Sequence, residues 1–464
     1  MGILDSQIIK QIQDAGNQIN SEIISDLIKS HTTERTQIIG LWEKYKGVVP
    51  IISRRFDNAI KINRKLAHDF RGQIIDQVVG YLFGNPLTYG VVKENYTPEQ
   101  YQKIINQISL FNQENNVADL DATTGEFASV CGYASRLLYF DKIGILRAMN
   151  IKPWESIFIY DATIEEMQYA IIYYPFDVVE GGQTVKRWKV EFYDKENVTY
   201  WFETGNDVFT LDPMEQQNPM PHGFDEVPVI KFLNNNLVKG DFETVESLID
   251  AYDLLNSDIQ NELEEFRLAY MAFIGGTITE EELLKARRTG AFSIAEGGDI
   301  KFITKNINSA VVESHKKTIR ENIYQLSNTV DFNDAAFTGN AESGEARKLK
   351  YQGLESKAIK KERKFTKALE DQFELLAFVW NKINIPLNYH DIRIQFSRNL
   401  PIDLTYYATV SNKLFGQVSD KTRLSLMPFI DDPDEELEQI EAENTAKGLL
   451  LNLDAALVEP SGSF

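Results

Sequence analysis

The sequence is 464 residues long, with 43% apolar and 25% charged residues and a formal net charge of −21. That length exceeds what one ordinary hydrophobic core accommodates, and the composition is that of a folded chain. A single cysteine, Cys131, excludes an internal disulfide and a multi-cysteine metal site and suits a reducing compartment, while the acidic balance argues against a general nucleic-acid binder, which needs Lys and Arg to meet phosphates.

Residues 1–90 read as helical, with Trp42, Tyr45, Leu66, Ile74, Val78 and Leu82 on apolar faces, up to the breaker Gly84-Asn85-Pro86. The start lacks the basic and apolar blocks of a signal peptide. Met1-Gly2-Ile3-Leu4-Asp5-Ser6 fits a myristoylation pattern too short to carry weight. Residues 97–150 continue as helix, with Pro98 at a first turn. Strands then take over. Residues 157–160, 170–174, 188–193 and 198–202 are rich in β-branched and aromatic side chains, and Gly181-Gly182 reads as a hairpin turn. Pro213, Pro219, Pro221 and Pro228 mark an irregular connection before a strand at 229–232.

From Asp241 the pattern is helical to about Leu268. Val245, Leu248, Ile249, Tyr252, Leu255, Ile259, Leu263 and Phe266 recur at three and four, one apolar stripe. Such a helix would be roughly 40 Å long. A small α/β insert follows: strand 270–274, turn Gly275-Gly276, helix 280–288, and short strands 291–295 and 300–304 split by Gly297-Gly298. A second long helix spans about 309–329. Residues 331–344 have no periodicity, two glycines and small polar side chains, and read as a mobile loop. Residues 345–367 then hold nine Lys or Arg against three Glu, a local charge of +6, on a helix reaching about Ile383. A solvated face with i,i+4 pairs is the plain reading. From about Pro401, short helices lead to an acidic tail with Asp431, Asp432, Asp434, Glu435, Glu436, Glu438, Glu441 and Glu443.

Enzyme signatures are lacking. There is no Gly-Lys-Ser/Thr phosphate loop. The histidines His31, His68, His222, His315 and His390 are scattered without an HExxH spacing. Acidic pairs such as Glu264-Glu265 have no partner acid or base nearby in sequence. A non-enzyme without cofactor or metal is expected. No apolar run reaches the ~18 residues of a membrane span.

Five stretches occur in a distinctive order: Asn63-Arg64-Lys65-Leu66-Ala67-His68-Asp69; Val79-Gly80-Tyr81-Leu82-Phe83-Gly84-Asn85-Pro86; Val238-Lys239-Gly240-Asp241; Phe337-Thr338-Gly339 through Ser343-Gly344-Glu345-Ala346; and Ser397-Arg398-Asn399-Leu400-Pro401. Nearly the whole chain thereby resembles the portal proteins of tailed bacteriophages, those of siphoviruses with Gram-positive hosts above all. The resemblance implies an α+β, mainly helical portal fold with wing, stem, clip and crown regions in a homo-oligomeric ring of about twelve subunits. The wing would be 1–240 with the long helix and strand of 347–400. Helices 241–268 and 309–329 would form the stem, 269–308 the clip, 330–346 the tunnel loop and 401–464 the crown.

It also implies a virion protein at one capsid vertex, present in host cytoplasm during assembly, through which double-stranded DNA is packaged and later ejected. Its partners would be terminase, head-completion or adaptor proteins, scaffolding protein and major capsid protein, with no membrane. Phe332, Asn333, Asp334, Phe337, Thr338, Asn340 and Ser343 would face DNA from the tunnel loop. His315, Lys316 and Arg320 would line the stem, and Glu280, Glu281, Lys285, Arg287 and Arg288 would form the docking surface of the clip. A loop free of Lys and Arg fits weak, non-specific contact, because each neutralised phosphate tightens binding. Two other readings stay open: a helical scaffold or adaptor of the virion with no channel, and a sequence-specific DNA binder using Arg347, Lys348 and Lys350.

Overall fold

The computed structural model describes the chain except residues 1, 17, 57–61, 162–165, 267–269, 275–278, 290–296, 304–308, 334–349, 400–403, 428–429, 431–432, 435 and 446–464. The amino-terminal part is helical: α1 (Gly2–Asp14), α2 (Ser21–Tyr45), α3 (Pro50–Ser53) and α4 (Phe70–Phe83). Asn20 and Asp69 start α2 and α4 by accepting the N–H groups of Ile23 and Gly72, donors the first helical turn leaves unpaired. Strand β1 (Thr88–Val91) follows. A Thr97–Gln100 capping box with Pro98 then opens α5 (Pro98–Glu114), and α6 (Val117–Cys131) comes next.

Residues 97–150 do not stay helical, contrary to the sequence expectation. Gly132, at φ 87°, ends α6, and β2 (Tyr133–Phe140) and β3 (Leu146–Ile151) pair antiparallel. A Cβ at position 132 would sit 2.3 Å from the carbonyl oxygen of Val238, so only glycine meets both the left-handed turn and that close approach. The first six residues of β2 are all buried. A strand buried on both faces shows no polar alternation, which hides it in sequence.

The β region is an antiparallel sheet in the order β4 (Ser156–Tyr160), β5 (Met167–Glu180), β6 (Gln183–Tyr193), β7 (Asn197–Gly205), β8 (Val208–Leu211), with β9 (Met220–Pro221) on β7. Gly181 and Gly182, both at positive φ, make the β5–β6 hairpin as expected. Ile171 and Tyr173 with Val190 and Phe192 pack against Ile8, Ile12, Ile24 and Leu27, so this sheet is covered by α1 and α2. Strand β10 (Val229–Leu233) pairs with β2.

Helix α7 (Glu246–Phe266) starts later than the sequence suggests, after a single 3-10 turn at Glu243–Val245. Strand β11 (Tyr270–Ile274) precedes α8 (Glu280–Thr289) and pairs with β12 (Asp299–Ile303). The expected strand 291–295 lies outside the described residues. Helix α9 (Ser309–Ser327), the 31-residue α10 (Gln352–Lys382), β13 (Ile392–Gln395), α11 (Leu404–Leu414) and α12 (Asp420–Ser425) complete the order, with β13 paired to β1. The architecture is α+β.

One core joins α2, α4, α7 and α9 through Ile38, Phe70, Ile74, Ile249, Tyr252, Ile319 and Ile323, and buries Cys131, whose thiol burial pushes far up. The stripe of α7 does not stay buried along its length, for Leu263 is 52% exposed. Past Tyr252 a polar face takes over. Asp253, Ser257 and Asn261, one turn apart, accept the backbone N–H groups of His68, Leu66 and Arg64 at 2.9, 2.9 and 2.7 Å. An extended chain repeats every two residues over nearly the same distance as one helical turn, so the two registers match. Among the described residues no helix is long and apolar enough to cross a membrane.

Candidate functional site

The residues singled out in sequence fall at two ends of the helices α7 and α9. At one end α9 finishes and the loop beginning at residue 330 is launched. Asn328, at φ 56°, turns the chain, and Thr329 donates back to the carbonyl of Tyr324 at 3.0 Å. Val330 is buried, and its N–H and carbonyl bond the side-chain amide of Gln77, each at 2.9 Å. Asp331 accepts from Arg320 at 2.8 Å and from the N–H of Asn333 at 3.0 Å. Phe332 is 51% exposed and Asn333 is exposed.

Helix α4 holds both roots of this loop. Gln73, Gln77 and Tyr81 lie at i, i+4 and i+8 and share one face. Gln73 accepts from the Tyr324 hydroxyl at 2.7 Å, Gln77 holds Val330, and Tyr81 stacks on Tyr351 and donates to Glu355 at 2.6 Å. Arg398 closes the far root by donating to Glu355 at 2.9 and 3.1 Å and to Glu362 at 2.6 Å. Burial opposes ionisation of Glu355, and the bonds from Arg398 and Tyr81 outweigh it, so its carboxyl is held below its usual range. Gly353 faces Asn328 so closely that an added Cβ would lie 3.3 Å from its side-chain oxygen. The chain therefore leaves and returns at nearly one place.

The two stretches Val79–Pro86 and 397–399 touch each other at this clamp. Asn399 donates to the carbonyl of Tyr81 at 3.0 Å, and Gly84 leaves no room for a Cβ beside the Asn399 side chain. Asp334, Phe337, Thr338, Asn340 and Ser343, together with Arg347 and Lys348, lie outside the described residues.

A second anchor joins α10 to the start of α7. Lys361 is fully buried, 2.8 Å from Asp241, and also bonds Ser129; Lys357 lies 3.3 Å from the same carboxylate. Burial alone would raise the Asp241 pKa, but the two lysines and the Asn234 amide hold it well below the usual carboxylate range. The expectation of a solvated basic face therefore fails at Lys361, while Lys360, Arg363 and Lys367 are exposed as expected. Helical spacing cannot by itself separate the cation turned inward from its neighbours.

Of the stem candidates, His315 is exposed and Lys316 half-buried, whereas Arg320 is occupied by Asp331. At the other end, Glu280, Glu281, Lys285 and Arg288 are exposed on α8, whose first turn is closed by mutual Thr279–Glu282 bonds; the Arg287 side chain is outside the described residues. Among the described residues no group of His, Cys, Asp and Glu could hold a metal. Gln73, Gln77, Tyr81 and Arg398 were not marked by sequence reasoning, although the stretches carrying Tyr81 and Arg398 were.

Comparison with known proteins gives a consistent result. The family model for phage portal proteins of the SPP1 Gp6-like type matches residues 24–447. The portal protein of Bacillus phage SPP1 is 24% identical over 404 residues, covering 82% of this chain and 76% of its own length. That of Clostridium phage phiCD119 is 22% identical over 446 residues, covering 89% of this chain and 94% of its own.

Proposed function

Because the chain belongs to the SPP1 Gp6-like family of phage portal proteins, we infer that about twelve copies close into a ring at one capsid vertex, through which double-stranded DNA enters and later leaves. The wing would comprise 1–240 and 347–400, the stem 241–268 and 309–329, the clip 269–308 and the crown 401–464. Residues 330–346 would be the tunnel loop, meeting DNA through Phe332, Asn333, Asp334, Phe337, Thr338, Asn340 and Ser343. The exposed α8 would receive terminase during packaging and head-completion proteins afterwards. Scaffolding protein and major capsid protein are the remaining partners, during assembly in host cytoplasm and then in the virion. The chain itself is read as non-enzymatic, with a partner ATPase supplying energy.

The observation that carries this reading is the double-rooted loop. Both roots are fixed to α4, at Gln77 and Tyr81. A lining for moving DNA must touch without holding. Arg320, on the helix that leads into the loop, already pairs with Asp331 at 2.8 Å, which leaves it less available to a phosphate. Negative-stain imaging with light scattering tests the proposal: closed rings with a central hole are expected, and a chain that stays monomeric or dimeric under all assembly conditions would refute it.

A further inference from the structure

A groove of about 2150 Å³ runs between α1–α2 and α10, floored by β4 and β10. Both strands are sheet edges: among the described residues β4 pairs with β5 alone and β10 with β2 alone. Six cations line the groove, Lys10, Lys231, Lys360, Arg363, Lys364 and Lys367, against three carboxylates, Glu34, Asp161 and Asp371. Lys360, Arg363 and Lys364 occupy one face of α10 and form no ion pair with any described residue, whereas Lys367 bonds Asp371 at 2.6 Å. Unpaired cations on one wall give it the sign opposite to the chain's net charge of −21.

The rim carries an independent sign of use. Val238 has φ 54°, a left-handed conformation that a β-branched residue adopts only under constraint. The constraint is visible. The Asn235 side chain accepts the N–H groups of Leu237 and Lys239 and donates to the Lys239 carbonyl, and Asn234 donates to that same carbonyl at 2.7 Å. From below, Gly132 abuts the Val238 carbonyl. This rigid turn presents Leu237, 76% exposed, at the mouth of the groove. The turn is held by three residues, Asn234, Asn235 and Gly132, and leaves an apolar side chain in water at the groove.

We propose that this groove is the receiving side of the contact between adjacent copies. It takes an acidic surface of the next copy along the basic face of α10, with Leu237 as the apolar contact at its edge. The inference rests on the ring reading above. Head-to-tail rings need two different complementary surfaces on each subunit, and a cationic groove on an acidic chain supplies one.

Two measurements test it. In wild-type rings grown from equal amounts of isotope-labelled and unlabelled chain, a zero-length carbodiimide should join Lys360 or Lys364 to carboxylates of the other isotope. Links found only within one copy would overturn the proposal while leaving ring formation standing; wild-type protein that forms no rings would instead remove the portal reading beneath it. Separately, Lys360→Glu/Arg363→Glu/Lys364→Glu should lower ring yield at least tenfold with the circular dichroism of the monomer unchanged, and Leu237→Ser should lower it several-fold. Normal rings from the triple variant overturn the proposal, and a selective loss of DNA retention by such rings would assign the groove to nucleic acid instead. Should the triple variant misfold, the cross-linking of the wild type decides alone.

Discussion

Gln77 and Val330, 253 positions apart in sequence, exchange two hydrogen bonds of 2.9 Å, the side-chain amide of one serving the backbone N–H and carbonyl of the other. The pairing imitates one rung of a sheet ladder and fixes where the loop departs. Replacing Gln77 by Leu leaves both groups of a buried residue without partners. A loss of about 2–3 kcal/mol is expected in chemical denaturation, with faster amide exchange at Val330. Gln77→Glu keeps the acceptor and should lose less; equal losses in the two variants would count against the paired geometry.

The Asp241–Lys361 anchor makes a sharper demand. Asp241→Asn strands the buried Lys361 and should cost about 3–5 kcal/mol, whereas Asp241→Asn combined with Lys361→Met should recover most of that. The acid side of the stability profile follows from the depressed carboxyl. Its contribution is complete above about pH 4, the range where an unfolded aspartate ionises, and is lost as the pH drops toward the lower folded value. Urea midpoints at pH 7 and pH 3 measure this; an Asp241→Asn profile as steep as the wild type between them would contradict it.

His31 provides a pH dependence in a separate window. Its ring bonds the Tyr173 hydroxyl at 2.7 Å, and burial, aided by Arg35 and Lys231, pushes its pKa down to about 4. The unfolded chain takes up this proton near pH 6.5 while the folded chain refuses it until about pH 4. Stability is therefore full above pH 6.5 and falls by up to about 3 kcal/mol on the way down. His31→Gln should flatten the melting temperature over that interval.

Removing residues 332–344 should leave rings intact, because α4 and Arg398 hold both roots without that segment, and should abolish DNA filling of capsids. Measured genome content per particle is the readout. Normal filling would take the loop out of DNA handling.

Much of the architecture is legible from the chain. The hairpin at Gly181-Gly182, the strands around it and the long helices follow from turn chemistry and periodicity that depend only on neighbours in sequence. Strand β2 escaped because it is buried on both faces and looks like the helix before it. The polar positions escaped for another reason. Gln73, Gln77 and Tyr81 on α4, like Asp253, Ser257 and Asn261 on α7, show helical spacing in the sequence, but their partners are hundreds of residues distant or are backbone groups with no identity of their own. For the same reason the pairing of Arg320 with Asp331, 11 positions on, is not legible in the sequence.

Cys131 is the one sulfhydryl in this sequence, and it is enclosed in the core with its thiol protonated far beyond neutral pH. A maleimide dye would therefore pass it by in the native state. Cysteine placed at Phe332 or Glu281 would then carry a single fluorophore per subunit, so that energy transfer could follow the two ends of the molecule separately while a genome is being loaded.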